Sequence, residues 1–234
     1  MEILGPLSGF VFWVLPTLSA LMVIGTLTPK DPLPGVRSSW ATLVLWSVVA
    51  VPSLLQIILP ALFDVLHRDA TRIADGQVWR LVTSVVVQGG GFNGTTSNLL
   101  GLAAVSTAAV AYWGVARTWT VFWFGAVASN LAVFVIHPIG GGNSMADFVV
   151  ATALTSSVLA DRGRRGSTPA LALVCGLGVL LCVAVLGLRG NYHVWSCVIG
   201  LVIGLLPALR STKRRKQLWI GSESTVRVAS KPTP

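Results

Sequence analysis

The 234-residue chain is 53% hydrophobic and 11% charged, with a mean hydropathy of +0.76, whereas a water-soluble domain usually devotes about 25% of its residues to charge. So sparse a polar surface excludes an ordinary soluble globule and points to the bilayer as solvent. The net charge of +9 and pI near 10.5 would prompt a search for nucleic acid in a soluble chain; here topology accounts for them, and no nucleic-acid partner is expected.

Seven apolar stretches have the ~17–25 residues that a ~30 Å hydrocarbon core demands. The first runs from Phe10 to Leu27. Glu2 is the only charge before Lys30, and no small-x-small cleavage pattern follows, so this segment reads as a retained helix. The second runs from Trp40 to Phe63, and a polar segment with Asp64, His67, Arg68, Asp69, Arg72, Asp75 and Arg80 follows it. His67, Arg68 and Asp69 read there as a solvated charge cluster without chemistry. The remaining spans are Thr95–Val115, Thr118–His137, Ser144–Ala160, Pro169–Leu188 and Tyr192–Leu209. Residues 211–234 form a polar, basic tail, expected to be mobile.

Lys and Arg are enriched on cytoplasmic flanks. Placing the C-terminus inside puts 13 of the 17 basic residues in the cytoplasm, including Lys30, Arg117, Arg162 and the cluster Lys213 to Lys216, and leaves Arg68, Arg72, Arg80 and Arg189 outside. The cluster reads as an anchor beside anionic lipid headgroups. Cys175, Cys182 and Cys197 lack the paired spacing of a zinc site. No nucleotide fingerprint or metal spacing stands out, and no cofactor or metal is expected.

This orientation sets Asn98, Ser144 and His193 at the outer ends of the third, fifth and seventh spans. Gly140-Gly141-Gly142-Asn143 precedes Ser144, which serves there either as an N-cap or as a nucleophile whose backbone N–H helps to hold an oxyanion. His193 stands beside Tyr192 and Trp195, an interfacial setting. It also lies near the outer end of a stripe, Ser196, Gly200 and Gly204, that permits close approach of another helix. If the partner is the fifth span, His193 reaches Ser144 as its general base. A carboxylate at the depth of Asp147 costs about 2.5–3.5 kcal/mol unless it is paired, hydrated or protonated. Asp147 belongs either to a wet cavity, orienting water or His193, or to a structural hydrogen bond with another helix. Asn130 reads as an interhelical hydrogen-bonding residue and His137 as interfacial or helix-ending.

From about Gly76 to Leu209 the chain resembles the rhomboid family of intramembrane serine proteases. Gly76-Gln77-Val78-Trp79-Arg80 is similar to the family's Trp-Arg loop element. Asn98 falls at its oxyanion-stabilising asparagine, Gly142-Asn143-Ser144 at the start of its Gly-x-Ser-Gly motif, and His193 with Gly200 and Gly204 at its base-bearing helix. Phe148 takes the place of an aromatic residue packed on the catalytic histidine. The resemblance implies an all-α, polytopic membrane bundle, in which residues 1–37 add an N-terminal helix and cytoplasmic loop to a six-helix core within 38–210. It implies a Ser144–His193 dyad, with Asn98 in the oxyanion hole, cutting single-span or membrane-anchored proteins near the outer interface of the plasma membrane. Lipids are the other expected partners. Met145 stands at the motif's second glycine and Gly94 at a family histidine; these departures carry the alternative of an inactive relative that binds transmembrane segments.

Overall fold

The computed structural model describes residues 5–26, 36–165 and 169–206. The expected tail 211–234, with the cluster Lys213 to Lys216, and Lys30 in the first connection lie outside the described residues. The fold is all-α apart from one two-residue strand pair. In chain order come α1 (Gly5–Ile24), α2 (Val36–Ile58), α3 (Ala61–Leu66), β1 (Arg68–Asp69), α4 (Ala70–Ala74), α5 (Arg80–Thr83) and a 3-10 turn (Ser84–Val86). Then follow α6 (Gly91–Trp113), α7 (Val115–Ala132), β2 (Ile139–Gly140), α8 (Ser144–Arg165), α9 (Ala170–Leu188) and α10 (His193–Leu206).

Among the described residues two helices, Ser39–Ile58 within α2 and α9, are long and apolar enough to cross a membrane. The second expected span is interrupted. Proline lacks the N–H needed to continue a helix, and at Pro60 the chain leaves α2 and restarts as α3. The fourth expected span stops at Ala132, five residues short of His137, in a series of turns. Between α6 and α7 a single residue, Gly114, makes the corner at φ +84°, a conformation costly to any side chain.

α1, which the sequence adds to the core without naming its neighbours, packs on α9, α6 and α8 and stands between α6 and α9, which make little contact with each other. Ser19 Oγ meets Thr155 Oγ1 of α8 at 3.2 Å, and Leu18 fills the hollow left by Gly178 of α9. On the other side α2 packs on α6, where Trp46 Nε1 donates to the carbonyl of Leu99 at 2.9 Å. At the α7–α8 contact Gly125 faces Val149 too closely for any side chain.

Burial is inverted relative to a water-soluble fold. Ser19, Ser53, Ser106, Ser129, Thr152, Thr155 and Ser196 are buried, while Val44, Val51, Leu54 and Ile57 of α2 and Leu173, Val174, Leu177 and Leu181 of α9 are exposed. The buried hydroxyls mostly return their proton to a carbonyl of the preceding turn, as Ser106 does to Leu102 O at 2.6 Å and Thr155 to Ala151 O at 2.9 Å.

Candidate active site

The loop before α8 is held by its backbone. Gly142 N–H donates to Ser84 O at 2.8 Å and Gly89 N–H to Gly141 O at 3.0 Å, so the glycine run is stitched to the 3-10 turn and to the approach of α6. Gly142 has φ +145°, where a Cβ would lie 3.1 Å from Asn98 Nδ2 and 3.8 Å from Ser144 Oγ. Its missing side chain leaves a hollow bounded by that amide donor, the serine hydroxyl and Gln88 Oε1, which would lie 3.2 Å from the same Cβ. Ser144 is the first residue of α8, where helix N–H groups lack intrahelical acceptors, and the serine is partly accessible.

α10 opens at His193. Gly190, at φ +62°, reverses the chain after α9, and Asn191 follows. Asn191 Oδ1 accepts from the backbone N–H of His193 at 3.0 Å and from its ring Nδ1 at 2.8 Å. A carbonyl oxygen can only accept, so Nδ1 carries the proton and Nε2 is left with a free lone pair. That lone pair faces Ser144 Oγ at 3.0 Å, within the range for proton transfer to a base. Phe12 of α1 meets the imidazole edge-on at 4.8 Å between ring centroids, Phe148 lies at 5.4 Å and Tyr192 at 4.3 Å. Packed on these faces and tethered at Nδ1, the ring has one orientation.

The small-residue stripe of α10 lies on α8. A Cβ at Gly200 would overlap Thr152 Oγ1 and Val149 O, and one at Gly204 would overlap Ser156 Oγ and Ala153 O. Thr152 Oγ1 also donates to Cys197 O at 3.0 Å and Ser157 Oγ to Gly204 O at 3.0 Å, joining the two helices directly.

A chain of amides fixes Asn98, the residue expected at an oxyanion hole. Gln88 Oε1 accepts from Asn98 Nδ2 at 2.7 Å, while Gln88 Nε2 donates to Asn143 Oδ1 at 2.8 Å and to Ser53 Oγ at 3.0 Å. Asn143 Nδ2 donates to Asn98 O at 2.9 Å and to Asp147 Oδ2 at 2.6 Å. Asn98 Nδ2, which borders the Gly142 hollow, carries a second hydrogen beyond the one given to Gln88. The hydrogen bond that the structure shows for Asp147 is made not to another helix, as one reading expected, but to Asn143, the residue just before α8. The Asp147 carboxyl lies beside Gly101 of α6, and Oδ1 is buried without a partner.

Trp79 and Arg80 stand outside the cluster. Trp79 is half exposed. Arg80 is buried, and its guanidinium binds Gln77 Oε1 at 2.7 Å, His67 O at 2.8 Å and Asp64 O at 3.1 Å, pinning the outer loop. Asn130 joins elements as expected, donating to Leu81 O at 2.7 Å and to Ser84 Oγ at 3.1 Å.

The solvated cluster expected at His67–Asp69 is corrected: His67 and Arg68 are buried, and Asp69 alone faces solvent. His67 stacks on Phe63 and its Nδ1 contacts Phe63 O at 2.8 Å. β1 pairs antiparallel with β2, Arg68 opposite Gly140, which turns the arginine under the strap before α8. There Nη1 donates to Asn130 Oδ1 at 2.5 Å and contacts Met145 Sδ at 3.5 Å, and Nη2 donates to His137 O at 2.8 Å. Burial pulls this guanidinium below the ordinary arginine pKa, but an arginine remains charged near neutral pH. His137 stacks on Tyr192 at 3.9 Å. Arg68, Tyr192, Ser144 and His193 line one small cleft with ≈ 20 Å³ of free space, about the room of a single water.

Among the described residues no His, Cys, Asp and Glu side chains group as a metal site. The residues that sequence reasoning missed are Asn191, Gln88, Phe12 and Arg68. Of these, only Asn191 carried a local signal, an amide two residues before a histidine in a glycine turn. Comparison of the chain with family models, with curated proteins and with solved structures finds no match.

Proposed function

We propose that the protein is a rhomboid-like intramembrane serine protease, with α1 added to a six-helix core of α2 and α6 to α10. The observation that carries this reading is the 3.0 Å approach of Ser144 Oγ to His193 Nε2, from residues 49 apart in sequence, with the imidazole tautomer set by Asn191. Ser144 Oγ attacks a peptide carbonyl as its proton passes to His193 Nε2. The oxyanion forms in the hollow beside Gly142, where the Ser144 backbone N–H and Asn98 Nδ2 donate to it. The imidazolium then protonates the leaving amine, and water, deprotonated by the same nitrogen, releases the acyl group.

The inverted burial supports a multi-pass setting, since exposed aliphatic faces suit hydrocarbon and buried hydroxyls suit a bundle interior. The sidedness reading has support at the opposite end, where Arg162 Nη2 of α8 donates to Thr26 O just past α1. A basic residue at that end of the bundle agrees with the proposed cytoplasmic side, and on this reading the dyad, at the other end, faces outward across the plasma membrane. Substrates are single-span or membrane-anchored proteins, which must unwind locally so that the scissile carbonyl is free.

The test is labelling of the purified protein by a serine-reactive fluorophosphonate. Labelling that is lost on Ser144→Ala and weakened on His193→Ala supports the protease; absence of labelling, beside a serine hydrolase that reacts in the same micelles, refutes it. The ≈ 20 Å³ cleft favours a second reading, a non-cleaving binder of transmembrane segments, which the same absence would leave standing.

A further inference from the structure

Arg68 lies in the same cleft as the dyad and has no countercharge. Its side chain is 2% exposed, and every acceptor it meets, Asn130 Oδ1, Met145 Sδ and His137 O, is neutral. Its Nε is buried with no acceptor at all. Among the described residues no carboxylate pairs with it. Asp69, the next residue along the strand, is turned outward to Arg72 at 3.3 Å and caps α4, and Asp147 is engaged with Asn143 beside Gly101. A buried guanidinium without an anion is costly. An orphaned N–H on it is a further cost.

The geometry points to Arg68 as the receptor for a carboxylate on the substrate, supplied by an Asp or Glu side chain adjoining the scissile bond. The unpartnered Nε and the remaining hydrogen of Nη2 form one edge of the guanidinium, the arrangement that grips both oxygens of a carboxylate. Met145 holds the other edge through its thioether, so the residue that departs from the family's glycine has a specific contact here. Tyr192, stacked on His137, lines the same cleft. A glutamine in place of glutamate offers one acceptor and no charge, and leaves the guanidinium uncompensated.

This inference rests on the reading of Ser144 and His193 as a protease dyad, so the experiment has one arm that requires cleavage and one that does not. In the first, the full-length protein in detergent cleaves paired single-span reporters that carry Glu or Gln at the positions flanking the bond. The expected kcat/KM ratio is about ten- to a hundredfold in favour of Glu, the range for hydrogen bonds to charged groups. It collapses toward one in Arg68→Met and is partly retained in Arg68→Lys, which keeps the charge but not the fork.

In the second arm, fluorescent versions of the same peptides bind Ser144→Ala protein, and the Glu-to-Gln Kd ratio is compared with and without the Arg68 substitutions. The lysine variant guards against misfolding, since loss of Asn130 and His137 contacts alone would weaken both peptides equally. No cleavage of any reporter with an Arg68-dependent binding ratio sinks the protease and leaves the carboxylate receptor standing. Equal handling of Glu and Gln peptides by the wild type, or selectivity that survives Arg68→Met, overturns the proposal. A preference only for a free C-terminal carboxylate over its amide overturns the side-chain assignment.

Discussion

The crossing of α10 over α8 makes Gly200→Ala an informative perturbation. The new Cβ would overlap Thr152 Oγ1 and Val149 O, with Val149 C 3.0 Å away. Backbone atoms cannot rotate aside, and Thr152 is tied to Phe148 O at 2.7 Å and to Cys197 O at 3.0 Å. Restoring ordinary carbon contacts of about 3.5 Å therefore requires the helices to part by roughly 1 Å. Overpacking of this kind costs about 1–3 kcal/mol.

His193 sits two turns up the same helix, about 10 Å away, so the shift carries its Nε2 off the 3.0 Å line to Ser144. A displacement near 1 Å can cost ~10²-fold in rate. Thermal unfolding in micelles reads the first effect, and the second-order rate of fluorophosphonate labelling reads the second. Gly163→Ala is the control: it lies in α8, and its Cβ would meet nothing within 4 Å. Unchanged melting and labelling in Gly200→Ala, with Gly163→Ala also unaffected, would refute the close crossing.

Three further outcomes are expected. Asn191→Ala removes the acceptor that fixes the His193 tautomer and lowers the labelling rate about tenfold or more, a share of the ~10²–10⁴ that a general base contributes; Asn191→Asp, which keeps the acceptor, restores part of it. Gly142→Ala fills the hollow beside Asn98 and lowers reporter hydrolysis by ~10²–10³-fold, the loss typical of one oxyanion donor, provided that circular dichroism shows the helices intact. Asp69 caps α4, and the Arg72 backbone N–H, followed by the charge of its side chain, holds the carboxyl below its usual pKa. A depressed pKa gives a contribution that is present above the unfolded value of about 3.9 and is lost as pH falls through the folded one. The melting difference between wild type and Asp69→Ala should therefore be present near pH 6 and vanish as the pH drops below about 4; a difference independent of pH counts against the cap.

Much of the helical layout was legible because apolar runs are long and some of their ends are marked, as at Pro169. The break at Pro60 was missed because leucine and phenylalanine continue on both sides of it, and composition does not register one absent N–H. Ser144 and His193 stood out as polar residues at equal depth, with the stripe at Gly200 and Gly204 naming the face that brings them together. The place of α1 was not legible. Its packing depends on single interlocking contacts, Leu18 in the Gly178 hollow and Ser19 against Thr155, and no periodic stripe announces such a partner. Arg68 was misjudged because a charged loop residue is ordinarily solvated. Only the two-residue ladder with Ile139 and Gly140, far along the chain, turns it inward.

The position of α1 alters the terms on which any visitor from the bilayer meets His193. Phe12 already covers one side of that ring, on a helix lodged where α6 and α9 would otherwise leave a gap. A foreign segment approaching through that gap competes with a resident joined to the same polypeptide, and a tethered rival acts at an effective concentration on the order of millimolar. If the protein admits substrates as proposed, a visiting segment must displace that resident helix to reach this side of the ring.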